Sequence, residues 1–156
     1  ETWWVATDGF GKDETAGWGA VVFRFDGPWG VSGVPAFVLH APVVTKAWDH
    51  RWLGARDETN NTAELSAIGE VAHWLLEEAP DYGETAAHLR YASEYAANVA
   101  RGIWTPRSNL ELADAVRKLV AQVMERRRLN WEWVRGHSGA HDNELADRAA
   151  EIGRRG

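Results

Sequence analysis

The stretch "AAHLRYASEYAANVA", residues 86–100, decides the fold. Its first part, Ala86 to Tyr91, reads as a buried strand. Ser93 then offers a hydroxyl for a helix N-cap, and a short helix runs on to Arg101. A strand turning straight into a helix is half of a βα unit. Such units place parallel strands side by side through right-handed crossovers. The junction also poses a chemical question. Acidic residues from elsewhere in the chain converge on it, yet position 92 is alanine.

Upstream, "TWWVAT" at 2–7 predicts a central strand ending at Asp8, and "GFGKDETAG" at 9–17 reads as turn chemistry. "WGAVVFRF" at 18–25 and "VPAFVLHA" at 34–41 predict two more strands, joined by the hairpin-like loop "DGPWGVSG". Residues 42–59 form a long polar loop carrying Trp48 and Trp52, and a loop of that length is uncommon without a role. The period then changes. Leu65, Ile68, Val71, Ala72, Leu75 and Leu76 recur at 3–4 spacing, which predicts an amphipathic helix over 62–78, stopped by Pro80 and Gly83. Downstream, "WTPRS" breaks the chain, and Asn109 to Arg127 read as a second long helix. "LNWEWV" at 129–134 is a fifth strand, "RGHSGAHD" a loop, and Asn143 to Ile152 a last helix. The order βββαβααβα predicts an α/β fold. Its five-stranded mixed sheet has three antiparallel strands and then parallel ones, with helices on both faces, in one domain over 1–156.

Composition agrees: 156 residues, 45% hydrophobic and 26% charged, describe a globular chain with a real core. No apolar run is long enough to span a bilayer, and no signal-peptide pattern opens the chain. It starts mid-pattern at Glu1 without Met, which predicts a trimmed chain or an excised domain. There are no cysteines, which removes disulfides, zinc–thiolate sites and cysteine nucleophiles and fits a reducing, intracellular setting. Net charge is −6, which argues mildly against a nucleic-acid partner. Its distribution argues the other way: residues 1–100 carry −9 and residues 101–156 carry +3, so one side can still meet phosphates. The run Arg126-Arg127-Arg128 is either such a contact or a solvated helix end. Of ten tryptophans, Trp3, Trp4, Trp18, Trp74, Trp131 and Trp133 lie in apolar runs and read as core. Trp29, Trp48, Trp52 and Trp104 lie among turn or polar residues and read as surface packing first, with stacking on a ligand as the alternative.

The predicted topology brings three distant acids to one sheet edge. Asp8 and position 92 end strands expected to be parallel neighbours, about 5 Å apart. Glu64 lies in the first turns of the helix crossing that edge, and Asp147 lies on the last helix. Sites form outside the carboxyl ends of such strands. Crowded carboxylates repel unless a cation sits among them, and all-oxygen ligands suit Mg²⁺ or Mn²⁺ rather than zinc. Taken singly, each acid reads better as a solvated turn or a helix-terminus charge; it is their combination that points to a site. Two ions about 4 Å apart can clamp an in-line phosphoryl transfer.

"ATDG" at 6–9, "TNNTAEL" at 59–65, "ASEYAANV" at 92–99, "PRSNLEL" at 106–112 and "WVRGHSGAHDNELAD" at 133–147 follow one another in a familiar order. The chain resembles ribonuclease H of the bacterial and eukaryotic single-domain type, also found in retroelement reverse transcriptases. The resemblance implies hydrolysis of the RNA strand of an RNA–DNA hybrid with two Mg²⁺ ions, Mn²⁺ being a substitute. It implies metal ligation by Asp8, Glu64 and Asp147, and proton transfer or product release by His137. Glu144 fits a family position near the site. Thr59 and Asn109 match residues that hold a phosphate of the DNA strand, and Asn60 and Asn61 match residues reaching into the minor groove. Ser93 and Asn143 join this substrate-binding set. The hybrid is recognised through 2′-hydroxyls in a shallow minor groove, which suits amides. The competing reading of Asn60 and Asn61 is helix capping. A monomer is expected, with no membrane association and no small-molecule cofactor.

Three departures matter. The family pattern Asp-Ser-x-Tyr is here Ala92-Ser93-Glu94-Tyr95, so the fourth carboxylate is missing and Glu94 is expected to point elsewhere. An intact fold with impaired cleavage follows, from an inactivating substitution. The alternatives are a naturally non-catalytic hybrid-binding domain or a domain excised from a retroelement polyprotein. Another nuclease of this fold, such as a transposase or resolvase, is disfavoured by "TNN" and "GHSG". The basic protrusion of many relatives is replaced by "GIWTPRSN", with Arg101 and Arg107 flanking it or within it. The 42–59 loop is long, and its Trp48, Arg51, Trp52 and Arg56 offer either added binding surface or a structural flap.

Overall fold

The computed structural model describes residues 2–25, 34–81, 85–135 and 139–156. The strands are β1 (Thr2–Lys12), β2 (Thr15–Phe25), β3 (Phe37–Pro42), β4 (Ala86–Tyr91) and β5 (Leu129–Trp133). The helices are α1 (Asn60–Glu77), α2 (Glu94–Ala100), α3 (Leu110–Arg126) and α4 (His141–Arg154). One sheet holds all five strands in the order β3-β2-β1-β4-β5. The first three pair antiparallel, and β4 pairs parallel with both β1 and β5. The predicted element order and mixed sheet both hold. Among the described residues, no helix is long and apolar enough to cross a membrane.

Alternation along β1 sends its side chains to two different layers. Trp3 and Val5, with Ala20 and Val22 of β2, face the main core, built from Leu65 and Ile68 of α1 and Leu112 and Val116 of α3. Ala6, with Val21 and Phe23, faces a smaller cluster closed by Ala146 of α4. Two glycines set how closely the helices approach. A Cβ on Gly9 would lie 2.3 Å from the Glu64 nitrogen, and one on Gly19 would lie 2.3 Å from the Ala150 nitrogen. Only glycine admits backbone that close. These contacts seat α1 and α4 on opposite faces of β1 and β2.

Four expectations need correction. β1 does not end at Asp8: pairing with β2 continues to Lys12↔Thr15, so most of "GFGKDETAG" is ladder. Only Asp13 and Glu14 form the turn, with φ of 54° and 62°, the left-handed pair that a two-residue hairpin requires. Trp133 is not core; it is 46% exposed at the end of the edge strand β5. Arg127 is neither a phosphate contact nor a solvated helix end. Its side chain is 1% exposed and pairs with Asp81 at 2.9 Å, while Arg126 and Arg128 are exposed.

The 42–59 loop is anchored largely to the protein itself. Trp52 Nε1 donates to the Ala55 carbonyl (2.8 Å), Arg56 pairs with Glu111 (2.6 Å) and Arg51 pairs with Asp49 (3.0 Å). Val43 and Ala55 are buried, and Trp48 is exposed. Trp29 and His137 lie outside the described residues.

Candidate active site

The β1–β4 register ends at Thr7↔Tyr91, so Asp8 and Ala92 are the next residue of each strand path. β4 stops there because Ser93 caps α2, its hydroxyl accepting the Ala96 N–H at 3.1 Å. β1 runs on with β2 alone. The space beside it is a concavity of about 420 Å³ lined by Asp8, Glu64, Asp147, Ala92, Asn60 and Asn61, with Ser93 at its edge. The acids therefore come together with the alanine among them. Glu94 is exposed and does not line this space, and Glu144 is exposed on α4.

Asp8 is 8% exposed, and its Oδ1 accepts the Gly9 N–H at 2.8 Å. Burial is the main cause that pushes its carboxyl up to about 6; hydrogen bonds from Glu64 and Gly9 oppose the rise, and the Asp147 charge adds to it. Glu64 is raised well above the ordinary value, first by burial and then by the Asp8 charge. A hydrogen bond between two carboxyl groups requires a proton held between them. A cation among these carboxylates would relieve their repulsion. Among the described residues, no group of three or more His, Asp and Glu side chains is closed into a metal-binding set. The donor chemistry, oxygen only and short of positive charge, fits a hard divalent ion.

A stability effect follows. The folded Asp8 value lies above the unfolded one, so folding is disfavoured by ionisation, and stability falls as pH rises from about 4 through 6. Without added metal, Asp8→Asn is expected to stabilise the protein at pH 7.5, on the order of 2 kcal/mol. The gap should close below pH 4. Thermal unfolding with chelator across this range measures it, and a gap independent of pH would contradict the assignment.

The substrate-binding candidates separate into groups. Thr59 caps α1, its hydroxyl accepting the Thr62 N–H at 3.2 Å, so neither Asn60 nor Asn61 is the cap. Thr62 Oγ1 lies 2.8 Å from Thr59 Oγ1 and accepts from Asn109 Nδ2 at 3.3 Å. Thr59 and Asn109 thereby meet over one hydroxyl that sequence reasoning did not single out. Asn109 reaches it from a left-handed backbone, φ 53°, just before α3. Asn60 Oδ1 accepts the Gly11 N–H at 2.7 Å, which leaves its amide N–H groups to face the concavity. Asn143 is 4% exposed in α4 and does not line the concavity.

Two further features were missed. Trp133 Nε1 donates to the Ala92 carbonyl at 3.2 Å and so pins the backbone at position 92. A second groove, about 530 Å³, adjoins the first through Asn61 and is lined by Tyr95, Ile103, Trp104 and Arg107. Trp104 is 46% exposed there, and its carbonyl is held by Arg117 Nη2 at 2.6 Å. The clue in sequence was Trp104 next to a proline-containing break.

The RNase H family model matches residues 1–155. Ribonuclease H of Pseudomonas paraeruginosa is 33% identical over 109 residues, covering 65% of this chain and 71% of that one. Ribonuclease HI of Haemophilus influenzae is 26% identical over 134 residues, covering 81% and 80%. Among solved structures, the N-terminal RNase H domain from Mycobacterium tuberculosis, solved as a fusion with maltose binding protein, gives a TM-score of 0.67. Its identity is 22%, over 99% of this chain and 94% of that one. LC11-RNase H1, solved in complex with an RNA/DNA hybrid, gives a TM-score of 0.61 at 20% identity, over 96% and 97%. At such identities the structures speak for the fold, and the family model, matching along nearly the full length, speaks for descent: this chain belongs to the ribonuclease H family.

Proposed function

We propose that this chain is a monomeric, intracellular catalytic domain that binds RNA–DNA hybrids and is built to hydrolyse the RNA strand, with cleavage suppressed by Ala92. The observation that carries the reading is the gathering of Asp8, Glu64 and Asp147 around a concavity into which Ala92, not a fourth carboxylate, faces. The three acids would hold two Mg²⁺ ions, with Mn²⁺ able to substitute. The chemistry such ions supply is a hydroxide nucleophile at neutral pH and charge stabilisation for the leaving oxygen. Burial of Asp8 and Glu64 keeps bulk water from screening their charge. Asn60 and Asn61 present amides to 2′-hydroxyls, and Thr59 and Asn109, held together over the buried Thr62 hydroxyl, are the pair that would meet a phosphate. His137 assists proton transfer or product release.

The adjoining groove gives the uncut strand a place. Trp104 supplies an apolar face and Arg107 a phosphate contact, where relatives use a basic protrusion. Fluorescence anisotropy with labelled hybrid, double-stranded RNA and double-stranded DNA tests this on the chain as it is. Hybrid should bind tightest. Trp104→Ala should weaken it about tenfold with an unchanged slope of log affinity against log salt. Arg107→Ala should reduce that slope by about one phosphate's worth. Equal affinity for all three duplexes would refute hybrid recognition.

A further inference from the structure

The three candidate metal ligands line the concavity; the buried carboxylate of Asp142 does not. Asp142, in the first turn of α4, is 4% exposed. Its Oδ2 accepts Trp4 Nε1 at 3.0 Å and lies 2.8 Å from Arg90 Nε. The Arg90 contact is ionic rather than a straight hydrogen bond, since the Nε–H is not aimed at an acceptor. Its Oδ1 accepts the N–H of Asn143 at 2.9 Å. Around this point Arg90 lies 5.2 Å over the Trp4 ring and pairs with Glu132 at 3.3 Å, and Trp4 stacks on His88 at 4.4 Å.

Of the three elements meeting at Asp142, β1 carries Asp8, α4 carries Asp147 and β4 leads into Ala92. Trp4 and Asp8 lie on one face of β1, four residues apart, and Arg90 lies two residues before Ala92, which directly follows β4. Asp142 and Asp147 are five residues apart on α4, about 7.5 Å along its axis. We infer that Asp142 is a positioning residue that locks the start of α4 to β1 and β4 and so sets Asp147 against Asp8 and position 92. This rests on the metal-dependent reading of the site given above.

Elsewhere α4 packs mostly through small residues, and the hydrogen bond from Arg154 Nη1 to Thr15 Oγ1 at 3.0 Å ties down the opposite end of the helix, away from Asp142. The helix buries Ala146, Ala149, Ala150 and Gly153, and its close approach is over Gly17 and Gly19. A smooth small-residue contact resists separation but offers few interdigitating side chains to resist sliding. Nor does a cap fix the helix start, because Ala140 at the N-cap has no side-chain bond to give. A buried carboxylate held by a hydrogen bond from one strand and an ion pair to another restricts both translation and rotation. Outer residues that orient ligands typically contribute 10–100-fold to metal affinity.

The test is Mn²⁺ binding to the chain as it is, followed by paramagnetic resonance of the free ion, well below the unfolding temperature of each variant. Asp142→Asn retains the volume but loses the charge that faces Arg90, and should weaken Mn²⁺ binding about tenfold. Glu132→Gln removes the charge from the outer contacts to Arg90 and His88 while leaving Asp142 in place, and should leave affinity unchanged. A purely structural Asp142 would lower the melting temperature and leave Mn²⁺ affinity as in the parent. That result, with Asp8→Asn abolishing binding, would overturn the inference alone. Failure of Asp8→Asn to affect binding, or no binding by the parent, would overturn the site reading and the inference with it.

Discussion

Replacing Ala92 with aspartate is expected to raise Mg²⁺-dependent cleavage of an RNA–DNA hybrid by about a thousandfold or more. Position 92 directly follows the last β1–β4 pair and shares the concavity with Asp8, Glu64 and Asp147. Its carbonyl is held by Trp133 and the next residue caps α2, so the backbone is fixed and a new carboxylate would project into the site. Supplying one missing ligand is worth several kcal/mol of transition-state stabilisation, and each 1.4 kcal/mol is about tenfold in rate. Added repulsion should also lower the melting temperature of the variant in chelator and restore it with Mg²⁺. A gel assay on a labelled hybrid, run beside the parent, reads the effect; no gain would refute the role of position 92. Tighter metal binding without cleavage would favour a binding domain.

The largest stability loss is expected for Arg127→Met. Its guanidinium reaches Asp81 at 2.9 and 3.0 Å, the Thr85 carbonyl at 2.8 Å and the Leu75 carbonyl at 2.8 Å. Asp81 in turn accepts Trp3 Nε1 at 2.5 Å. One side chain thus joins the end of α3, the end of α1, the approach to β4 and the first strand. Removing the cation leaves Asp81 at 13% exposure with its charge unpaired by Arg127, and breaking a buried pair in this way costs about 3–5 kcal/mol. Urea unfolding measures it. Arg126→Met and Arg128→Met, at exposed positions, should change stability by less than about 0.5 kcal/mol. Equal losses at all three would show that the basic run acts as a block.

This contrast shows what was legible in the sequence. Three adjacent arginines carry no mark of which one turns inward; the Asp81 partner lies 46 residues away and is set by tertiary packing. Periodicity did show α1 and α3, because their apolar faces repeat over four turns or more. The βα junction at 86–100 placed β4 beside β1, and with it Asp8 beside position 92. The extent of β1 was hidden, because its Gly9 and Gly11, which read as turn residues, are there to admit the start of α1. Thr62 and Asp142 were hidden for another reason. Each works by joining residues far apart in sequence, and each looks in isolation like an ordinary helix-terminal polar residue.

Crystals of the Ala92→Asp variant soaked in Mn²⁺ test the site most directly, through anomalous scattering. Peaks are expected roughly 2.1 Å from carboxylate oxygens of Asp8, Glu64 and Asp147. Saturating Mn²⁺ with no peak among these residues, or with the ion bound elsewhere, would contradict a shared metal centre.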